Sequence, residues 1–296
     1  MGRIGTEAKP ARSPVTGTDA LHGRADTGRM KFWYQFTADA SKHPAFVDAL
    51  HRHAGRIASP GTRITVHGMD ADLGHGLLQA DVILSPAVYT TVVAPLFLRN
   101  AWKAQQEGYD AFVIGTFAEP VLRELRSLVD IPVVSAFEAS MLAGCTVAPR
   151  TALLVLSEQT VPYVEASIER HRLATRVSGI HRVDSVMLET ELDREFEAPG
   201  AYLERFKAAA RKAIAAGADA VIPAEGMVAA IVAVNGLQEV DGVPVIDAVG
   251  VSILAAEHAL TLKQRLGLMP SRLRAYTRPT PAALAALGPT WSGAAR

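Results

Sequence analysis

From residue 30 onward, short apolar runs alternate with longer segments of helical periodicity. Strand-like runs fall at 31–36, 63–67, 111–115, 132–134, 151–156, 176–183, 219–223 and 244–246. Helical patterns fall at 43–57, 89–107, 118–128, 136–146, 160–173, 200–215, 226–236 and 248–266. The short apolar strand runs have the pattern of strands buried on both faces of a parallel sheet. This rhythm predicts βαβ units. Gly108, Gly217 and Gly242 precede strand runs, where helix C-caps place glycine. Pro132 and Pro244 open strands, where a missing N–H costs least.

Two strand ends match each other. Gly108-Tyr-Asp-Ala leads through Phe112-Val-Ile to Gly115-Thr-Phe-Ala-Glu-Pro120, and Gly217-Ala-Asp-Ala leads through Val221-Ile-Pro to Ala224-Glu-Gly-Met227. Thr116 and Glu225 stand just beyond the carboxyl ends of these strands, where open α/β sheets bind ligands. The duplication predicts an α/β fold of two pseudo-symmetric lobes, each a parallel sheet flanked by helices, with the site in the cleft between them. The expected division is residues 30–148 for the first lobe, joined by a C-terminal helix over 247–270, and 149–246 for the second, with a tail over 271–296. Residues 1–29 are rich in Gly, Pro, Ala, Thr and Arg without apolar periodicity. They read as a disordered extension, or as sequence upstream of the true start. A Gly/Asp-rich stretch from Gly68 to Gly76, flanked by His67 and His75, reads as a mobile segment near the cleft mouth.

Composition narrows the functions. A chain of 296 residues with 49% hydrophobic content can bury one large or two modest α/β cores. Thirty basic and thirty acidic residues cancel, so nothing favours nucleic acid or an anionic membrane as partner. The one cysteine, Cys145, excludes an intrachain disulfide and a Cys-based zinc site. It sits in an apolar helical segment and reads as structural. No apolar run is long enough to span a bilayer. No His/Asp/Glu set has metal-ligand spacing, and no phosphate loop appears. A cytoplasmic protein acting on a small molecule, without cofactor or metal, is the expectation.

With these residues in view, the chain resembles the aspartate/glutamate/hydantoin racemase superfamily over nearly all of residues 31–279, closest to the hydantoin and allantoin racemase branch. There the first strand end reads like Ala-Cys-Phe-Gly-Asp-Pro; here it is Gly115-Thr-Phe-Ala-Glu-Pro120. The second reads like Leu-Gly-Cys-Ala-Gly-Met; here it is Ile222-Pro-Ala-Glu-Gly-Met227. Pro244-Val-Ile-Asp247 and the Ser-Arg-x-x-x-Tyr of Ser271, Arg272 and Tyr276 are similar too. The resemblance implies a homo-oligomer. It also implies a departure. Racemising members use two cysteines, one per lobe, on opposite faces of the substrate carbon. Thr116 and Ala224 occupy those positions, and Cys145 matches neither, so two-thiol racemisation is not available.

Glu225 is the strongest candidate for chemistry. A carboxylate at a strand end, partly buried, gains a pKa near neutrality and accepts protons from water or carbon. The alternative is an acidic residue favouring the helix dipole. Thr116 reads as a ligand contact, with N-capping of the following helix as its structural role. Phe117, Gly226 and Tyr89 fall beside the same cleft. Glu119 precedes Pro120 at a helix start and reads first as helix-start chemistry, with substrate contact as the second possibility. Gln35 and Thr37 replace the Asn-Pro-Asn-Thr loop of the family, and Ser157 and Gln159 fill the related loop of the second lobe. Amides, hydroxyls and N–H groups at helix starts make carbonyl or anion sites. Three functions follow. The first is a cofactor-independent isomerase or lyase, not a racemase, with Glu225 as general base on a hydantoin-, lactam-, lactone- or carboxylate-like carbonyl compound. The second is a hydrolase opening a cyclic amide, imide or lactone with Glu225-activated water. The third is a binder that has lost catalysis.

Overall fold

The structure, a computed structural model, describes residues 30–69, 85–183 and 189–291. The extension over residues 1–29 and most of the Gly68–Gly76 stretch lie outside the described residues.

The first sheet holds β1 (Lys31–Asp39), β2 (Arg63–Met69), β3 (Ala111–Ile114) and β4 (Val133–Ser135), all parallel, in the order β2-β1-β3-β4. Around it lie α1 (Pro44–Ile57), α2 (Ala94–Gln106), α3 (Leu122–Leu128) and α4 (Ala136–Val147). The second sheet holds β5 (Thr151–Val155), β6 (Val177–Arg182) and β7 (Ala220–Pro223), parallel, in the order β6-β5-β7. A parallel bridge from Val221 to Val245 adds the place that β4 fills in the first sheet. The helices of this half are α5 (Val161–His171), α6 (Glu189–Arg194), α7 (Gly200–Ala215) and α8 (Gly226–Val234). A short hairpin, β8 (Glu239–Val240) with β9 (Val243–Pro244), precedes the long α9 (Ala248–Leu266), and α10 (Pro281–Trp291) ends the described chain. The two lobes thus repeat one strand order, as the matched strand ends predict.

Side-chain alternation along β1 explains how the layers are joined. Phe32, Tyr34 and Phe36 enter a core shared with Leu153, Ile222 and Val228 of the second sheet's surroundings. Trp33, one residue out of phase, enters a separate core with Phe97, Phe112 and Ile114. Each such aromatic, essentially fully buried, contributes about 1.5–3 kcal/mol over exposure. The shared core makes the lobes one packed body with a crevice at the strand ends. α9 returns to pack on α4, β3 and β4. Beyond it, Arg272 donates to the carbonyls of Arg126, Ser127 and Val129 and pairs with Asp130 at 2.9 Å. Those carbonyls are the open C-terminal end of α3, so the Ser-Arg-x-x-x-Tyr signature ties the tail to the first lobe.

Candidate active site

β3 and β7 end side by side. A methyl group on Gly226 would lie 2.8 Å from the carbonyl oxygen of Gly115, so the two strand ends meet backbone to backbone. Above this contact is a cavity with about 600 Å³ of empty space, its open mouth included. Thr116, Phe117 and Ala118 line it from the first lobe, and Ala224, Glu225, Gly226 and Met227 from the second. Thr37 near the end of β1, Tyr89 at the start of the π turn Tyr89–Val93, and Thr160 and Tyr163 at the head of α5 complete the polar wall. Phe36, Phe46, Phe117, Val164 and Met227 make the remainder apolar. No cationic side chain lines the cavity among the described residues.

Glu225 occupies the N-cap position of α8, yet its side chain makes no capping hydrogen bond. This is the helix-start position that the dipole alternative names, but no capping hydrogen bond ties the carboxylate to the helix. Its Oε2 is buried and has no hydrogen-bond partner among the described residues. Burial pushes its pKa up to about 7 against a backbone hydrogen bond from Leu156 that lowers it. At neutral pH the group stands near half ionisation, where a proton acceptor works best.

The cavity brings together six of the residues picked out in the sequence: Thr37, Tyr89, Thr116, Phe117, Glu225 and Gly226. Four others lie elsewhere. Gln35 is wholly buried; it accepts from Trp33 Nε1 and Asn100 Nδ2 and donates to the carbonyls of Phe36 and Gly68, all at 2.9 Å. Every polar atom of its amide is engaged, so it buttresses β1 and leaves nothing for a ligand. Ser157 and Gln159 lie off the cavity, and only Thr160 of their turn reaches it.

Glu119 turns away from the cavity into a buried cluster. It accepts from His171 at 2.8 Å, from Arg170 at 3.0 Å and from the Ser135 hydroxyl. Burial raises its pKa, and His171, Ser135 and Arg170 outweigh that and hold it below the ordinary carboxylate range. Glu119 and Val121 have φ of 48° and 49°, left-handed values that branched or long side chains avoid. The helix consequently starts at Leu122 rather than at Ala118, with Val121 and not Thr116 at its N-cap. Ser167 of α5 also donates to the carbonyl of Phe117 at 3.0 Å. The loop carrying Thr116 and Phe117 is thus clamped from the opposite lobe. Glu119 is neither a helix-start residue nor a cavity residue but the anchor of that loop.

Sequence reasoning missed Phe46, Tyr163 and Val164. They stand in the first turns of α1 and α5. First turns that follow strand ends face the crevice in α/β folds, and that rule was the available signal. Cys145 lies near the end of α4, partly exposed and away from the cavity.

Residues 44–268 match the model of the Asp/Glu/Hydantoin racemase family. A hydantoin racemase of Pseudomonas sp. (strain NS671) is 28% identical over 186 residues, covering 62% of this chain and 70% of that protein. One of Rhizobium meliloti is 25% identical over 243 residues, covering 82% and 89%. Among solved structures, the allantoin racemase from Klebsiella pneumoniae superposes with a TM-score of 0.67 at 21% identity, covering 84% of this chain and 94% of that one. That last likeness concerns the fold. With 225 of its residues spanned by the family model (268 − 44 + 1), the chain belongs to the Asp/Glu/hydantoin racemase family.

Proposed function

We propose that the protein is a cofactor-independent enzyme that moves a proton at an acidic carbon beside a carbonyl, with Glu225 as general base. The observation that carries this reading is that Glu225, a residue lining the cavity, has a buried Oε2 without a partner among the described residues and a pKa pushed up to about 7. Glu225 takes the proton; the C–H electron pair forms the carbon–carbon double bond of an enolate; the carbonyl electrons move to oxygen. Return of the proton restores the carbon.

The cavity wall supports a substrate class. Its polar groups are hydroxyls and one carboxyl, and its largest surfaces are aromatic. A carboxylate substrate would meet no cation on the described wall and would repel Glu225. A neutral cyclic amide with an apolar substituent fits both the charge and the surface. The names of the curated relatives, hydantoin racemases, support the same class. Thr116 and Ala224 stand where the family's two thiols would, which favours one carboxylate base over a thiol pair.

The test is incubation of 5-substituted hydantoins and related lactams, lactones and malonates in D₂O, followed by NMR and polarimetry. Deuterium at the carbon beside the carbonyl is the expected result. Loss of optical activity identifies racemisation, and its retention identifies exchange on one face. Incorporation of ¹⁸O from labelled water without deuterium on carbon would replace this reading with hydrolysis. Tight binding with neither would replace it with a binder.

A further inference from the structure

Two residues that line the cavity each carry a buried side-chain oxygen without a hydrogen-bond partner among the described residues. One is Oε2 of Glu225 and the other is the hydroxyl of Tyr89. An unpaired buried hydroxyl costs about 1–3 kcal/mol, so a ligand atom that engages it recovers that cost on binding. The two orphans are complementary: a carboxylate accepts and a phenol donates. A carbonyl compound with an acidic neighbouring carbon offers each what it lacks, a proton to one and an oxygen to the other.

The chain builds the position of Tyr89 with some care. Ser85 caps the turn Pro86–Val88, and the Tyr89 N–H donates to the Ser85 carbonyl at 2.9 Å. Tyr89 then opens a π turn, a rare geometry that recurs at functional sites. Its ring leans on Tyr163 with centroids 4.8 Å apart. The hydroxyl of Thr160, the nearest competitor at the head of α5, is already given to the Ser157 carbonyl at 2.7 Å. Thr37 also has a partner of its own.

We propose that Tyr89 is a catalytic residue whose phenol donates a hydrogen bond to the substrate carbonyl oxygen while Glu225 removes the proton from the adjacent carbon. The phenol keeps its proton throughout. Negative charge that develops on the oxygen strengthens the bond in the transition state, which is how an oxyanion donor accelerates enolate formation. Burial, with Tyr163 and Glu119 nearby, raises the phenol's pKa above its ordinary value, and Arg170 offsets this in part. Tyr89 is therefore a donor over the whole working range and never the base. The assignment rests on the proton-transfer reading above and adds the second group to it.

The experiment follows deuterium uptake into 5-benzylhydantoin by the wild type, Tyr89→Phe and Glu225→Gln. Phe keeps the ring on Tyr163 and removes only the hydroxyl. The expected result is a kcat lowered by about 10²–10³-fold in Tyr89→Phe, the loss typical of one oxyanion donor, with KM changed far less. Exchange at the wild-type rate in Tyr89→Phe, with Glu225→Gln inactive, overturns the role of Tyr89 and leaves the proposed function standing. Absence of exchange by the wild type overturns both. If Tyr89→Phe also melts earlier, 3-fluorotyrosine at position 89 decides. A nearly isosteric phenol of greater acidity changes the rate if the hydroxyl acts on the oxyanion, and an unchanged rate overturns the proposal.

Discussion

At the scale of single residues, the proposed role of Glu225 as base ties rate to stability. A base that ionises near pH 7 makes turnover rise with pH and level off above that value. The stability sign is opposite. The folded-state pKa lies above the ordinary 4.5, so the native state holds the proton more tightly. The stability this contributes is fully present below about pH 4.5 and is lost as pH rises through about 7. A shift of that size corresponds to at most about 3 kcal/mol. Glu225→Gln is therefore expected to lose about 10²–10⁴-fold in kcat. Its melting temperature should exceed that of the wild type increasingly from acid to neutral pH, and a parallel pair of melting curves across that range would show that the carboxyl is not desolvated. A second residue-scale expectation concerns Thr116 and Ala224, the positions where the family resemblance implies thiols. Thr116→Cys with Ala224→Cys should bring a new activity that iodoacetamide abolishes, whereas the wild type and Cys145→Ala should be insensitive to the reagent. Inhibition of the wild type through Cys145 would contradict its position outside the cavity.

At the scale of elements, the loop from Gly115 to Val121 is held in a costly backbone conformation by α5. Replacing Glu119 by Gln leaves Arg170 without its counter-charge and removes one of the two carboxylates beside His171, Glu138 remaining 3.6 Å away. Arg170 is 40% exposed, so solvent screens part of that loss. The expected destabilisation is roughly 1–3 kcal/mol at neutral pH. Because the folded-state pKa of Glu119 lies below the ordinary 4.5, its contribution is present above that pH and fades as pH falls through the lower folded value. Urea midpoints of wild type and Glu119→Gln should therefore converge in acid. The same loop marks the limit of sequence reading. The bounds of α7 were legible to the residue, because periodicity, a preceding Pro199 and the following Gly217 agree; α9 follows the 248–266 pattern and stops at Leu266, before Gly267, short of the 247–270 span also expected. The late start of α3 was not, because nothing local announces a carboxylate pulled across the lobe boundary by α5. Gln35 was misread for a related reason. An amide beside a strand end looks the same whether its partners are a ligand or Asn100, sixty-five positions away.

At the scale of the whole molecule, the duplicated strand order was readable from two short motifs, while of the aromatic wall of the cavity only Tyr89 and Phe117 were singled out. Phe46 and Tyr163 belong to helices whose apolar faces look alike until the lobes are brought together. Long-range closure falls to Arg272, which fastens the chain after α9 to the end of α3. Arg272→Ala removes four carbonyl contacts and the pairing with Asp130. It should lower stability by about 1–3 kcal/mol. The deuterium-exchange rate at low temperature should stay the same, since the tail lies far from the cavity wall. Loss of activity without loss of stability would place the tail in the site after all.

The contact between Gly226 and the Gly115 carbonyl also has a mechanical meaning. It is a fulcrum: a place beside the cavity where the backbones of the two halves bear on each other. Rocking about such a point would widen the mouth while barely changing the span from Glu225 to Thr116 at the floor. A shim there should do the reverse. Gly226→Ala inserts a methyl into a gap of 2.8 Å. It should spread the floor by a few tenths of an ångström and slow proton transfer, although no reacting group has been altered. A variant that binds 5-benzylhydantoin normally and exchanges its proton slowly would be the signature of a lever lengthened at its pivot.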